Sequence, residues 1–122
     1  MSTSSSSTTA PVGGPSLPQK RELVTVIPGP RSLELLERKK QSVAAAIGIT
    51  LPVFVEAAGG GVLRDVDGNT LIDFGSGIAV TGVGNSAPAV VEAVTAQVAQ
   101  FTHTCFMING YESYIEVAEK LN

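Results

Sequence analysis

One cysteine and one histidine are present in the sequence, and each shortage removes a class of protein. Cys105 has no second cysteine to pair with, which excludes an intrachain disulfide framework and points to a reducing, cytoplasmic setting. With His103 as the only histidine, a self-contained structural zinc site is also excluded. No apolar run approaches the roughly 20 residues of a membrane-spanning helix. Nor does the start of the chain combine basic residues with the apolar stretch of about 7–15 residues that marks a secretory signal. Basic residues number 8 against 11 acidic ones, a net charge of −3, and no basic block is longer than Arg38-Lys39-Lys40. That balance argues against nucleic acid as a partner.

What remains is a chain of 122 residues with 43% apolar content, enough for one modest core and at most one domain. Positions 2–9 are all Ser or Thr, and a Pro/Gly/Ser stretch follows as far as Pro18. Residues 1–30 are therefore expected to form a disordered Ser/Thr/Pro-rich leader. Beyond it, Leu33, Leu36, Val43, Ala44 and Ile47 recur at helical spacing, with Ser32 placed as N-cap and Gly48 as the stop. The texture then changes. Val53-Phe54-Val55-Glu56, Val62-Leu63-Arg64-Asp65-Val66 and Thr70-Leu71-Ile72-Asp73-Phe74 read as strands, divided by Gly59-Gly60-Gly61 and Asp67-Gly68-Asn69. The Asp-Gly turn makes the last two a hairpin, so a small antiparallel meander is predicted.

Further along, Ser86 is placed to cap a helix with Pro88 in its first turn and Val91, Val94, Val98 and Phe101 on one face. A third helical pattern starts near Tyr111, carrying Tyr114, Ile115, Ala118 and Leu121 on one side, and it is still running at Asn122. The expectation is a fragment, the first segment of a longer α+β domain, rather than an independent one.

Residues 71–81 hold the densest signal: a strand, a Gly-x-Gly turn and an apolar exit. A backbone bent that tightly commonly lies against something small. Gly75-Ser76-Gly77 invites a dinucleotide-binding reading, but Val80 occupies the position of the third glycine and no helical pattern begins there, so a turn with positive φ angles is preferred. Asp65-Val66-Asp67-Gly68-Asn69 has its glycine too early for a calcium loop and is flanked by strands, not helices. His103 and Cys105 stand two apart, the spacing of a nucleophile and its base on an extended segment, yet no third orienting group is evident and a structural cysteine is the more frequent case. None of Lys20, Lys39, Lys40 and Lys120 lies in surroundings that would depress its pKa for covalent amine chemistry.

Taken together, Val66-Asp67-Gly68-Asn69, Leu71-Ile72-Asp73-Phe74, Gly77-Ile78-Ala79-Val80, His103-Thr104-Cys105-Phe106 and Tyr111-Glu112 resemble the beginning of the 4-aminobutyrate aminotransferases, most closely those of actinobacteria. These are class III pyridoxal-phosphate-dependent aminotransferases, and the likeness runs from about Leu33 to Asn122. It implies fold type I, with residues 31–110 forming the N-terminal part of the small domain and the substrate-pocket loop, and residues 111–122 a helix leading into the large domain. It also implies amino-group transfer from 4-aminobutyrate to 2-oxoglutarate, giving succinate semialdehyde and glutamate, in a homodimer or tetramer.

In such enzymes the lysine that carries pyridoxal phosphate and the groups that hold its ring and phosphate come from other parts of the chain, so no catalytic or cofactor-binding residue is expected here and the segment alone is expected to be inactive. The resemblance places Ile78 beside the carbon chain of the substrate, Gly75 and Gly77 where the backbone comes close on either side, and Met107 near the same pocket. One departure stands out: where many class III members read Gly-His-x-x-Pro, this chain reads Gly84-Asn85-Ser86-Ala87-Pro88. Two other readings stay open, a relative acting on ornithine, acetylornithine or β-alanine, and a short non-catalytic protein that binds an aminotransferase subunit.

Overall fold

A computed structural model describes residues 16–122, and the part of the expected leader before residue 16 lies outside the described residues. The described chain divides into two compact units, residues 16–91 and Glu92–Asn122. The first is built on an antiparallel sheet of three strands, β1 (Val55–Gly59), β2 (Val62–Asp65) and β3 (Thr70–Ile72), in the order β1-β2-β3. This is the expected meander, with β1 beginning and ending later than its apolar run. Val62 pairs with both Gly59 and Ile72, and the register slips between Val55 and Ala57, a bulge at the outer end of β1.

The β2–β3 turn forms as its Asp-Gly sequence dictates. Gly68, at φ +88°, supplies the left-handed conformation, and the Asp65 carboxylate accepts from the amides of Asp67 and Asn69 at 3.0 and 2.8 Å. Helix α1 (Pro30–Ser42) is anchored by the same turn. Asp67 reaches across to accept from the amides of Arg31 (2.8 Å) and Ser32 (3.0 Å) and from the Ser32 hydroxyl (2.5 Å). Two expectations are corrected here. Ser32 is not the N-cap: Gly29 takes that position with Pro30 as the first helical residue, and Ser32 lies fully buried inside the helix. The helix also stops at Ser42, so Val43, Ala44 and Ile47 lie past its end and Gly48 is not its stop. A carboxylate borrowed from a hairpin 35 residues away caps this helix.

A further correction concerns the leader. Residues 16–29, expected to be disordered, are tied to the sheet. Gln19 donates to the carbonyls of Leu17 and Gly59 and accepts from the Gly61 amide, clamping the β1–β2 turn. Glu22 and Thr70 exchange both backbone hydrogen bonds, at 2.9 and 2.7 Å. Asn69, fully buried, accepts from the amides of Val24 and Thr25 and donates to Thr25 Oγ1 and Asp65 Oδ2. The centre of this unit is thus polar. Asp65, Asn69 and Ser32 are its largest fully buried side chains, while Leu17 and Val62 are the buried hydrophobic ones among the described residues.

Helix α3 (Pro88–Val98) spans the division between the units. Its expected cap, Ser86, sits at φ 51° in the left-handed region. In the second unit α4 (Glu112–Leu121) follows Tyr111, and Phe106 stacks on Tyr114 with ring centroids 4.3 Å apart while meeting Tyr111 edge-on at 5.3 Å. No helix among the described residues is long and apolar enough to cross a membrane.

Burial works to raise the Asp67 carboxyl, but the hydrogen bonds from Ser32 and Arg31 outweigh it and hold the group below its ordinary value of 3.8. A lowered folded pKa means that its stabilisation is complete above that ordinary value and is lost as the pH falls through the lowered one. Amide-exchange protection at Arg31 and Ser32, corrected for intrinsic rates, is therefore expected to decline below about pH 4. In Asp67→Asn this acid step should be absent; a step of unchanged size would assign it to another group.

Candidate functional site

Directly after β3 the chain enters a tight loop that carries most of the residues singled out from the sequence. The Asp73 amide bonds the Gly61 carbonyl at 2.9 Å, and Asp73 Oδ1 accepts from the Ser76 amide at 2.8 Å. The next four residues form a single helical turn, α2 (Ser76–Ala79), whose φ angles are all positive: 47° at Ser76, 60° at Gly77, 62° at Ile78 and 61° at Ala79. It is a left-handed turn. The positive φ angles expected for the Gly-x-Gly step are present at Ser76 and Gly77 but not at Gly75, which stays at −77°, and they continue through Ile78 and Ala79.

Only Gly77 adopts this conformation freely, and the others cost roughly 1–2 kcal/mol each, most of all the β-branched Ile78. Local hydrogen bonds hold the turn closed: Ile78 N–H to the Gly75 carbonyl (2.7 Å), Val80 N–H to the Ser76 carbonyl (2.8 Å), and the Ser76 and Thr81 hydroxyls to each other (2.7 Å). At the far end, Asn85 returns to the sheet and exchanges both backbone hydrogen bonds with Gly60, at 2.8 and 3.0 Å. Its side-chain amide donates to Asp73 Oδ2 at 3.1 Å. Gly84 permits this approach, because a Cβ there would stand 3.1 Å from Gly60 Cα.

The result is a hydrogen-bonded loop that presents a bare aliphatic side chain. Ile78 is 93% exposed, and Gly77 beside it is exposed as well. Because Ile78 packs against almost nothing, Ile78→Gly is expected to stabilise the isolated chain by about 1 kcal/mol through relief of backbone strain. Urea unfolding measures this; a loss of stability would show that the side chain is held by contacts.

Met107 belongs to the second unit and is 91% exposed, at the crest of a turn in which the Ile108 and Asn109 amides both bond the Cys105 carbonyl. The Phe106, Tyr111 and Tyr114 rings brace that turn. His103 and Cys105 are both exposed, and no hydrogen bond joins their side chains among the described residues. Among the described residues no group of three His, Cys, Asp or Glu side chains is placed to hold a metal ion.

The lysines do not form a site for an aldehyde cofactor. Lys20 pairs with Glu22 at 3.3 Å, and Lys39 donates to the Ile47 carbonyl on the surface. Lys40 donates to Glu37 at 3.1 Å, and this hydrogen bond holds the Glu37 carboxyl below the usual carboxylate range. Lys120 is exposed on α4. Three of the four amines are thus engaged by oxygen atoms and the fourth stands at the surface, so the described residues do not fit pyridoxal phosphate on their own.

The residue that sequence reasoning missed is Asn85. It was legible only as a departure from Gly-His-x-x-Pro, whereas the structure shows it closing the base of the loop. The signal available was Asp73 twelve residues earlier, a carboxylate that a hairpin strand had no use for.

The family model described as aminotransferase class-III matches residues 43–122. The 4-aminobutyrate aminotransferase of Mycobacterium leprae is 64% identical over 107 residues, covering 88% of this chain and 24% of the relative. That of Mycobacterium tuberculosis H37Rv is 63% identical over the same length, with the same coverage. The 5-aminovalerate aminotransferase DavT of Pseudomonas putida KT2440 is 42% identical over 88 residues, 72% of this chain and 21% of the relative. The chain belongs to the class III aminotransferases, a family whose members generally use pyridoxal phosphate. It spans about a quarter of the length of these mycobacterial relatives.

Proposed function

We propose that this chain is the N-terminal portion of a cytoplasmic 4-aminobutyrate:2-oxoglutarate aminotransferase of fold type I, and that its left-handed turn forms part of the wall of the substrate pocket. The observation that carries the reading is the identity of 63–64% over 107 residues to relatives named for that activity. In this reading Ile78 lies against the methylenes of 4-aminobutyrate and Gly77 lets the backbone approach them; Met107 is kept as a substrate-binding residue by the family likeness alone. Pyridoxal phosphate, held by residues outside this chain, supplies the electron sink for the transfer. The work of residues 16–122 is to shape and dry the space that the donor enters.

Exposed apolar surface supports the view that more protein packs here. Ile27, Leu51, Val53, Leu71, Ile72 and Phe74, with Arg21, line an open groove of about 320 Å³, and Ile115, Val117 and Leu121 stand exposed on α4. Further chain of a homodimeric or tetrameric enzyme covers such faces in this reading. A second reading, an enzyme for a longer ω-amino acid, is favoured by the likeness to a relative named for 5-aminovalerate.

The test is transamination by the complete protein that contains this segment, supplied with pyridoxal phosphate. Succinate semialdehyde and glutamate are expected in equal amounts from 4-aminobutyrate and 2-oxoglutarate. Failure with 4-aminobutyrate alongside rapid turnover of 5-aminovalerate or ornithine would move the assignment to the second reading. The 122-residue chain by itself is expected to show no cofactor absorbance that borohydride fixes to the protein.

A further inference from the structure

The side chain that faces the donor in the proposed function has no packing of its own. Ile78 is 93% exposed, so its position is dictated by the backbone beneath it, and that backbone is strained at Ser76, Ile78 and Ala79. A strained turn keeps its shape only if something fixes both of its ends. Here the same carboxylate does so: Asp73 Oδ1 accepts from the Ser76 amide where the turn begins, and Asp73 Oδ2 accepts from the Asn85 side chain where the loop returns. Asn85 is in turn pinned by two backbone hydrogen bonds to Gly60, next to β1. The chain of connections therefore runs from the sheet through Asn85 and Asp73 to Ser76, two residues from Ile78.

We infer that Asn85 is a positioning residue for donor selection, acting through Asp73 to hold the turn at the height that fits the length of the donor; this rests on the proposed function. Only the side-chain amide of Asn85 is needed for this role. Its main chain holds the loop to Gly60 whatever the side chain, so removing the amide unties the Asp73 carboxylate from the returning end of the loop without detaching the loop from the sheet. With Asp73 no longer anchored by Asn85, the carboxylate that holds Ser76 can turn, the left-handed residues shift with it, and Ile78 moves with them. The distinction between donors that differ by one methylene is the property most sensitive to such a shift, since a pocket discriminates them only through the position of its wall.

The test uses the complete enzyme as wild type, Asn85→Ala and Asn85→His, with 4-aminobutyrate and the one-methylene-longer 5-aminovalerate as donors. In Asn85→Ala the ratio of kcat/KM for 4-aminobutyrate over 5-aminovalerate is expected to fall about tenfold, mainly through KM for 4-aminobutyrate. Amide exchange across residues 76–81 should quicken about tenfold, with β2 and β3 unchanged. Asn85→His, whose ring N–H can donate to Asp73, should recover most of both effects.

An unchanged donor ratio, or an equal loss for both donors accompanied by faster exchange throughout the sheet, overturns the inference. Should Asn85→Ala fail to fold, Asn85→Asp carries the same test, because it keeps the size of the side chain and replaces its donor by an acceptor. A wild-type enzyme that leaves 4-aminobutyrate untouched refutes the proposed function and the inference with it. An active wild type with an indifferent Asn85→Ala refutes the inference alone.

Discussion

Ile78→Gln in the complete enzyme is expected to lower kcat/KM for 4-aminobutyrate by roughly 10–100-fold while sparing a donor that carries a second polar group. The argument starts from the turn. Four consecutive positive φ angles lift Ile78 away from the rest of its unit, so the side chain contributes nothing to the packing of residues 16–91 and is free to serve another surface. Against the methylenes of 4-aminobutyrate an aliphatic side chain needs no hydrogen bond, whereas a glutamine amide must be stripped of water with no partner in return. Ornithine brings an amine and a carboxylate at its α carbon and can satisfy that amide. Relative kcat/KM across 4-aminobutyrate, β-alanine and ornithine measures the effect, and unchanged ratios would remove Ile78 from the account of specificity.

The largest expected effect on stability lies at Asn69. Its side chain is fully buried, accepts from two amides at 2.9 Å each and donates to Thr25 Oγ1 and Asp65 Oδ2 at 2.8 and 2.9 Å. Asn69→Ala leaves the Val24 and Thr25 amides and one Asp65 oxygen without these partners, at a cost of about 3 kcal/mol. The loss should be local as well as global. Residues 22–27 are fastened to the hairpin by Asn69 and the Glu22–Thr70 bridge, so their amides should exchange first. Chemical denaturation combined with amide exchange separates the two; a cost below about 1 kcal/mol would mean that water replaces the lost partners.

Much of the sheet was legible because its signals are local. Asp67-Gly68 specifies a turn on its own, and the β-prone run from Val62 to Val66 between two glycine-bearing turns specifies a strand. The start of α1 was misjudged for the opposite reason. Ser32 is a good capping residue by type, but the true cap is a carboxylate 35 positions away, and pairings of that range leave no periodic trace. The segment 16–29 misled in the same way: its composition continues that of a disordered leader, while Gln19, Glu22 and Thr25 find partners 40 or more residues on. At the candidate site, glycine announced the turn at Gly75 and Gly77, but nothing in the residue types predicts that Ser76, Ile78 and Ala79 share the left-handed conformation. Family likeness supplied what periodicity did not, singling out Ile78 from the other exposed aliphatic positions.

The most direct measurement is a crystal structure of the complete enzyme with a non-reactive 4-aminobutyrate analogue bound. The account predicts the Ile78 side chain within about 4 Å of the carbon chain of the analogue, with Ser76 to Ala79 still left-handed beneath it. Finding Ile78 buried in a distant core, or exposed to solvent with the analogue elsewhere, would contradict it.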